Sequence, residues 1–87
     1  MNTLNREEAR QDLIARLRRI EGQARGVQRM IEEGRDCKQV LAQLTAMRNA
    51  TAQASLFLAR TYAAQCLADA ETPDIDALIA LFDQAVS

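Results

Sequence analysis

Cys37 and Cys66 are the residues of this chain best suited to chemistry, and 29 positions separate them in a sequence with no histidine. Cys37 follows the run Glu32-Glu33-Gly34-Arg35-Asp36, which reads as the end of one helix and the start of the next. Gly34 fits the position just past a helix end, where a left-handed backbone costs glycine nothing. Asp36 fits the N-cap of the following helix, its carboxylate accepting from free backbone N–H groups. Cys37 then falls in the first turn, beside the positive end of the helix dipole. A thiol so placed gives up its proton more readily than a free cysteine, and the thiolate is both nucleophile and soft metal ligand.

The spacing decides how the two thiols can meet. Along one straight helix, 29 residues make eight turns plus about 20°, so both cysteines share a face about 43 Å apart. Bridged cysteines need Cα atoms within about 7 Å, which excludes a disulfide inside one such helix. Two antiparallel copies crossing near Thr51 and Ala52 would bring Cys37 of each against Cys66 of the partner subunit. The plain alternative, two inert cysteines serving as small buried hydrophobes, stays open at this point.

The elements that must position these thiols are helices. The chain is 87 residues long, 48% hydrophobic but 3% aromatic, with 3 Gly and 1 Pro. It reads as one all-α domain, residues 1–87, near the size at which a lone core is marginal and assembly helps. A first helix is expected from about Asn5, with Glu8 completing a capping box. Its apolar seam is Leu13, Leu17, Ile20, Ala24, Val27 and Ile31. Arg18, Arg25 and Arg29 fall on the opposite side, with Gly22 and Gly26 beside them. Two helical glycines imply close approach, by a DNA backbone or by another subunit.

A second helix is expected from Cys37 to at least Cys66, with Val40, Leu41, Leu44, Met47, Thr51, Ala54, Leu58 and Tyr62 as a buried stripe. Its centre, Ala50 to Ser55, is small-sided, while Leu56 and Phe57 ask for a second contact surface. Thr72 as N-cap and Pro73 at the first position would open a third helix. Its apolar face is Ile75, Leu78, Ile79, Phe82 and Val86.

Charge is unevenly spread. Residues 1–35 carry 8 Arg against 6 acids, residues 36–60 carry 3 bases and 1 acid, and residues 61–87 carry 5 acids and no base. A basic front on a chain of net charge −1 suggests a polyanion partner for the first two helices. No apolar run reaches the roughly 20 residues of a membrane span. The polar N-terminus carries no signal-peptide pattern, and a cytoplasmic location is expected.

The run Arg16-Leu17-Arg18-Arg19-Ile20-Glu21-Gly22-Gln23, then Gly26, Met30-Ile31-Glu32-Glu33, Cys37 and Val40-Leu41-Ala42-Gln43-Leu44, resembles the CsoR/RcnR family of bacterial repressors over nearly the whole chain. The resemblance implies three-helix protomers, antiparallel dimers, and dimer-of-dimers tetramers that bind operator DNA through basic residues of the first two helices. Arg16 matches a basic position of that family, and Arg18, Arg19, Arg25 and Arg29 extend the patch. Copper sensors of the family also carry an Arg a little past the middle of the second helix. This chain lacks it, and Arg48, one turn earlier, is the candidate substitute.

Copper-sensing members join a cysteine at the Cys37 position to a His and a second Cys from the partner chain. Cys37 and Cys66 match the cysteines, but the His position is Tyr62, a hard oxygen donor unsuited to Cu(I). The pattern is therefore most similar to the persulfide-sensing branch, called CstR, which keeps both cysteines and drops the histidine. The reading is a repressor, not an enzyme, with no cofactor, in which sulfane sulfur donors bridge Cys37 to the partner's Cys66. Derepression of sulfur-detoxification genes would follow. The alternatives are a Cu(I)-responsive repressor using Cys37 and Cys66 as thiolate ligands, and a helical assembly module with inert cysteines.

Overall fold

The computed structural model describes residues 6–69 and 74–87, with the side chains of Cys66 and Asp69 outside the description. Three helices follow one another: α1 (Glu7–Glu32), α2 (Cys37–Asp69) and α3 (Ile75–Val86). The fold is all-α, as expected.

Helix α1 begins one residue later than the capping-box reading placed it. Arg6, in an extended conformation, occupies the N-cap position without a side-chain cap, while Asn5 lies outside the described residues. Glu7 and Glu8 supply negative charge to the first turn, which the helix dipole favours without a capping side chain. The other end closes as Gly34 predicts. Gly34 has φ +72°, its N–H donates to the Ile31 carbonyl at 3.1 Å, and the Arg35 N–H reaches back to Met30 at 2.9 Å. These two bonds define a Schellman motif, which satisfies carbonyls that the helix end leaves free.

Helix α2 starts at once. The Asp36 carbonyl accepts from Val40 at 3.1 Å and Gln39 at 3.0 Å, so Asp36 is the N-cap residue. Its carboxylate makes no hydrogen bond among the described residues, so the expected side-chain cap is not formed. From Cys37 the helix runs 33 residues. Thr51 and Thr61 stay within it because each hydroxyl donates to the carbonyl four residues back, at 2.9 and 2.8 Å, satisfying its polar group locally.

Helix α3 is capped by Asp74, whose carboxylate accepts from the Ala77 N–H at 3.1 Å. This replaces the expected Thr72-Pro73 start, which lies outside the described residues. An aspartate at the N-cap combines a good acceptor with a charge the dipole favours.

Both α1 and α3 pack on α2, and among the described residues they do not pack on each other. The molecule is consequently long and thin, 56 × 25 × 15 Å with a radius of gyration of 16.7 Å. A compact domain of this length has about 12 Å. Its surface is 6691 Å², against roughly 5,100 Å² for a globular monomer of this mass. The interior is correspondingly slight. Among the described residues, Ala9, Val27, Ala54 and Ala59 are the buried apolar ones.

Several positions expected in the apolar seams stand open in the protomer. Ile31, Leu41, Leu44 and Leu17 are 61%, 63%, 45% and 51% exposed. Thr51 and Leu58 on α2, and Ile75, Ile79 and Val86 on α3, are exposed too, while Leu78 and Phe82 of the expected α3 face are half-buried, together with Leu81 and Ala85. The seams are apolar as read, but α1 and α3 cover only part of them. Of the stripe on α2, Ala54 is buried and Val40, Met47 and Tyr62 are half-buried, while the rest stands open.

The three glycines separate two kinds of constraint. A Cβ at Gly22, Gly26 or Gly34 would meet nothing within 4 Å, and only Gly34 has a positive φ. Gly34→Ala should therefore destabilise the fold by about 1–2 kcal/mol through backbone strain alone. Gly26→Ala should stabilise it by about 0.5–1 kcal/mol through helix propensity. Urea unfolding of the two variants measures both. Destabilisation by Gly26→Ala would show that a second molecule fills the space beside it.

Candidate functional site

Cys37 is the first residue of α2 and is exposed. The Schellman turn places it there, because Gly34 reverses the chain and leaves two residues before the new helix begins. Beside it lies an open groove of about 420 Å³ lined by Ile31, Arg35, Val40, Leu41 and Leu44. Four of these five neighbours are apolar. Arg35 is tied at the rim, its Nε donating to Gln39 Oε1 at 3.1 Å, with Glu33 at 3.9 Å.

Cys66 belongs to the same helix, three residues before its last residue. Its side chain lies outside the described residues. The unbroken helix between the cysteines implies a separation of about 43 Å, so a single protomer does not bring them together. Tyr62 is half-buried, one turn before Cys66. Among the described residues no three His, Cys, Asp or Glu side chains converge on a possible metal position. A soft metal could be held by Cys37 only with a second thiolate from elsewhere, and the donor chemistry of two thiolates suits Cu(I).

The basic residues fall on two faces rather than in one patch. Arg18 and Arg29 are exposed and make no ion pair among the described residues, and Arg25 pairs with Glu21 at 3.0 Å. Arg16 sits about 140–180° round α1 from these three, on the side that meets α2. Its Nε donates to Asp12 Oδ1 at 2.8 Å, and its guanidinium lies over the Phe57 ring, 4.7 Å from the centroid. Arg19 is exposed about 60° from Arg16. Arg48 is exposed and makes no ion pair among the described residues, on the Cys37 face of α2.

Three residues were given no functional role from sequence. Phe57 was read as a generic contact, yet it is the platform for Arg16. Arg60 lines the same groove as Arg16 and Phe57, a proximity that appears only once α1 is docked. Gln23 has its side-chain oxygen buried without a hydrogen-bond partner, and nothing in local sequence signals that.

Comparison with known proteins bears on the whole chain. The model of the family described as metal-sensitive transcriptional repressor matches residues 9–84. The copper-sensing transcriptional repressor CsoR of Bacillus subtilis is 40% identical over 70 residues, 78% of this chain and 69% of that protein. The copper-sensing transcriptional repressor RicR of Mycobacterium tuberculosis is 44% identical over 52 residues, 60% of this chain and 54% of that protein. No solved structure matches the chain. These matches do not separate a persulfide-sensing branch from the rest. With its three helices, its cysteine at the head of α2 and a family match across nearly its full length, the chain belongs to the metal-sensitive transcriptional repressors, the CsoR/RcnR family, whose named members here are repressors rather than enzymes.

Proposed function

We propose that this chain is a cytoplasmic repressor that leaves its operator DNA when an inducer joins Cys37 to Cys66 of the partner subunit. The observation that carries this reading is the pair of cysteines near opposite ends of one unbroken helix. Two antiparallel copies crossing near Thr51 and Ala52 complete a two-thiol site at each end of a dimer. The open apolar groove beside Cys37 and the exposed Leu41 and Leu44 supply a surface for the second helix. The surface excess of roughly 1,500 Å² over a globular monomer is the size of a large permanent interface. Dimers pairing into tetramers are the assembly we favour.

Cu(I) is the inducer that the relatives' names support better, since both are copper-sensing repressors. Cys37 and the partner's Cys66 would hold it, and it would supply a bond to each sulfur that links the two chains. Tyr62, a hard donor, would add little. A second reading, sulfane sulfur, is favoured by one feature of this chain, the absence of any histidine. The Cys37 thiolate would attack a polysulfide, keep one sulfur as a persulfide and release the shortened polysulfide. Attack by the partner's Cys66 on the Cys37 sulfur would then expel hydrosulfide and leave a disulfide. Two persulfides would condense to a trisulfide with the same leaving group. Either link would fix both ends of the dimer and alter how Arg16, Arg18, Arg19, Arg25, Arg29 and Arg48 face DNA.

The assembly is checked by sedimentation, where a tetramer is expected at micromolar concentration and a stable monomer would rule the composite site out. The inducer is checked by intact mass and by release of a duplex selected on the protein from a random pool. Under the copper reading Cu(I) binds one per protomer and releases DNA, whereas polysulfide does little. Under the sulfur reading polysulfide gives a covalent dimer with added sulfur, and Cu(I) leaves the DNA bound. Cys37→Ser should abolish the response in either case and leave DNA bound permanently. Cys66→Ser should still take a persulfide at Cys37 but form no cross-link. A Cys37→Ser protein that still responds would remove the thiol from the mechanism.

A further inference from the structure

We infer that Arg16 and Arg60 form one phosphate clamp across the groove between α1 and α2, and that its ligand is a backbone phosphate of the operator. This rests on the repressor reading above. The groove holds about 260 Å³ and is lined by Arg16, Gln53, Leu56, Phe57 and Arg60. Arg16 comes from α1 and the other four from α2, so arginines of two different helices line one space.

Arg16 is not a loose surface cation. Its side chain is 33% exposed, its Nε is engaged by Asp12, and the Phe57 ring fixes the plane of the group. The two terminal nitrogens make no hydrogen bond among the described residues. A guanidinium held by one edge presents its remaining donors as a ready fork, the geometry that binds phosphate oxygens in pairs. Holding it in advance removes side-chain entropy that binding would otherwise cost. Arg60, exposed and without a carboxylate partner among the described residues, supplies the second positive group, and Gln53 a neutral donor.

The other basic residues lack this arrangement. Arg18 and Arg29 have nothing to hold them among the described residues; Arg25, like Arg16 with Asp12, is ion-paired one turn away, but through a terminal nitrogen and with no aromatic ring against it. The groove also lies about 120° round α2 from Cys66 and about 140° from Cys37. Phosphate and inducer therefore bind on different faces of the same helix and do not compete for space.

The test is an anisotropy titration of the full-length protein against a labelled duplex selected from a random pool, repeated over a range of salt. Arg60→Gln is expected to weaken binding about tenfold and to reduce the slope of log K against log salt by about 1. Arg60→Lys should keep the slope while losing part of the affinity, because charge remains but the fork is gone. Arg16→Gln combined with Arg60→Gln should cost less than the product of the single losses, as for two groups sharing one ligand. Phe57→Leu should weaken binding by a few-fold with an unchanged slope, since it removes the platform and no charge. If Arg60→Gln keeps wild-type affinity and slope while Arg16→Gln does not, the clamp is wrong and the repressor reading stands. Strictly multiplicative losses would likewise assign the arginines to separate phosphates and overturn the clamp. A wild-type protein that binds no duplex would sink the repressor reading itself. In that case side-chain NMR of Arg16 and Arg60 during titration with inorganic phosphate would show whether the groove is a free-anion site, which also overturns the DNA assignment.

Discussion

Thirty-three residues of helix without a glycine or proline separate the head of α2 from its tail, and the rest of the molecule is arranged around that stiffness. A helix of this length is a spacer. It keeps its first thiol and its last about 43 Å apart, so no local motion of the protomer can unite them. Its flanks are shared out, one to α1 and one to α3, with a third left to solvent. Small side chains make the two packed flanks close: Ala54 is 4% exposed and Ala59 1%. Alanine contacts bury little area per residue. Ordinary apolar transfer is worth about 25 cal/mol per Å², so this protomer cannot draw much stability from itself.

The distribution of charge follows from the same layout. Helix α1 lies with one edge against α2. Arg16 is on that edge, against the Phe57 ring; Arg18, Arg25 and Arg29 are behind it and exposed. A row of arginines that looks uniform in sequence is thus divided between a packed face and an open one. Exposed cations contribute long-range attraction to a polyanion. Side chains held in one geometry contribute register.

Helix number and type were legible in the residues because apolar spacing, Gly34 and the absence of breakers across α2 all agree. The turn at Gly34 was readable in detail, since a left-handed residue at a helix end is a local matter. The caps were less so. Asn5 and Thr72 look as good on paper as Arg6 and Asp74, and the choice depends on how far each helix extends against its neighbour. Burial was misread wherever α1 and α3 leave the apolar seams uncovered. Leu41 and Leu44 are apolar at helical spacing, which sequence reports faithfully, but which molecule covers them is a tertiary and quaternary question. The two-arginine groove was invisible for the same reason. Arg16 and Arg60 are 44 positions apart, and only the docking of α1 on α2 makes them neighbours.

The thinness of the protomer has a bearing on how long it survives in a cell. A chain that leaves Ile31, Leu17 and Leu41 more than half exposed presents the surface that chaperones and proteases recognise, and a small shift in the folded population changes abundance several-fold. Covering those side chains, by whatever surface meets them, would remove that recognition surface and lengthen the life of the chain, so abundance would follow the covered fraction as well as the rate of synthesis.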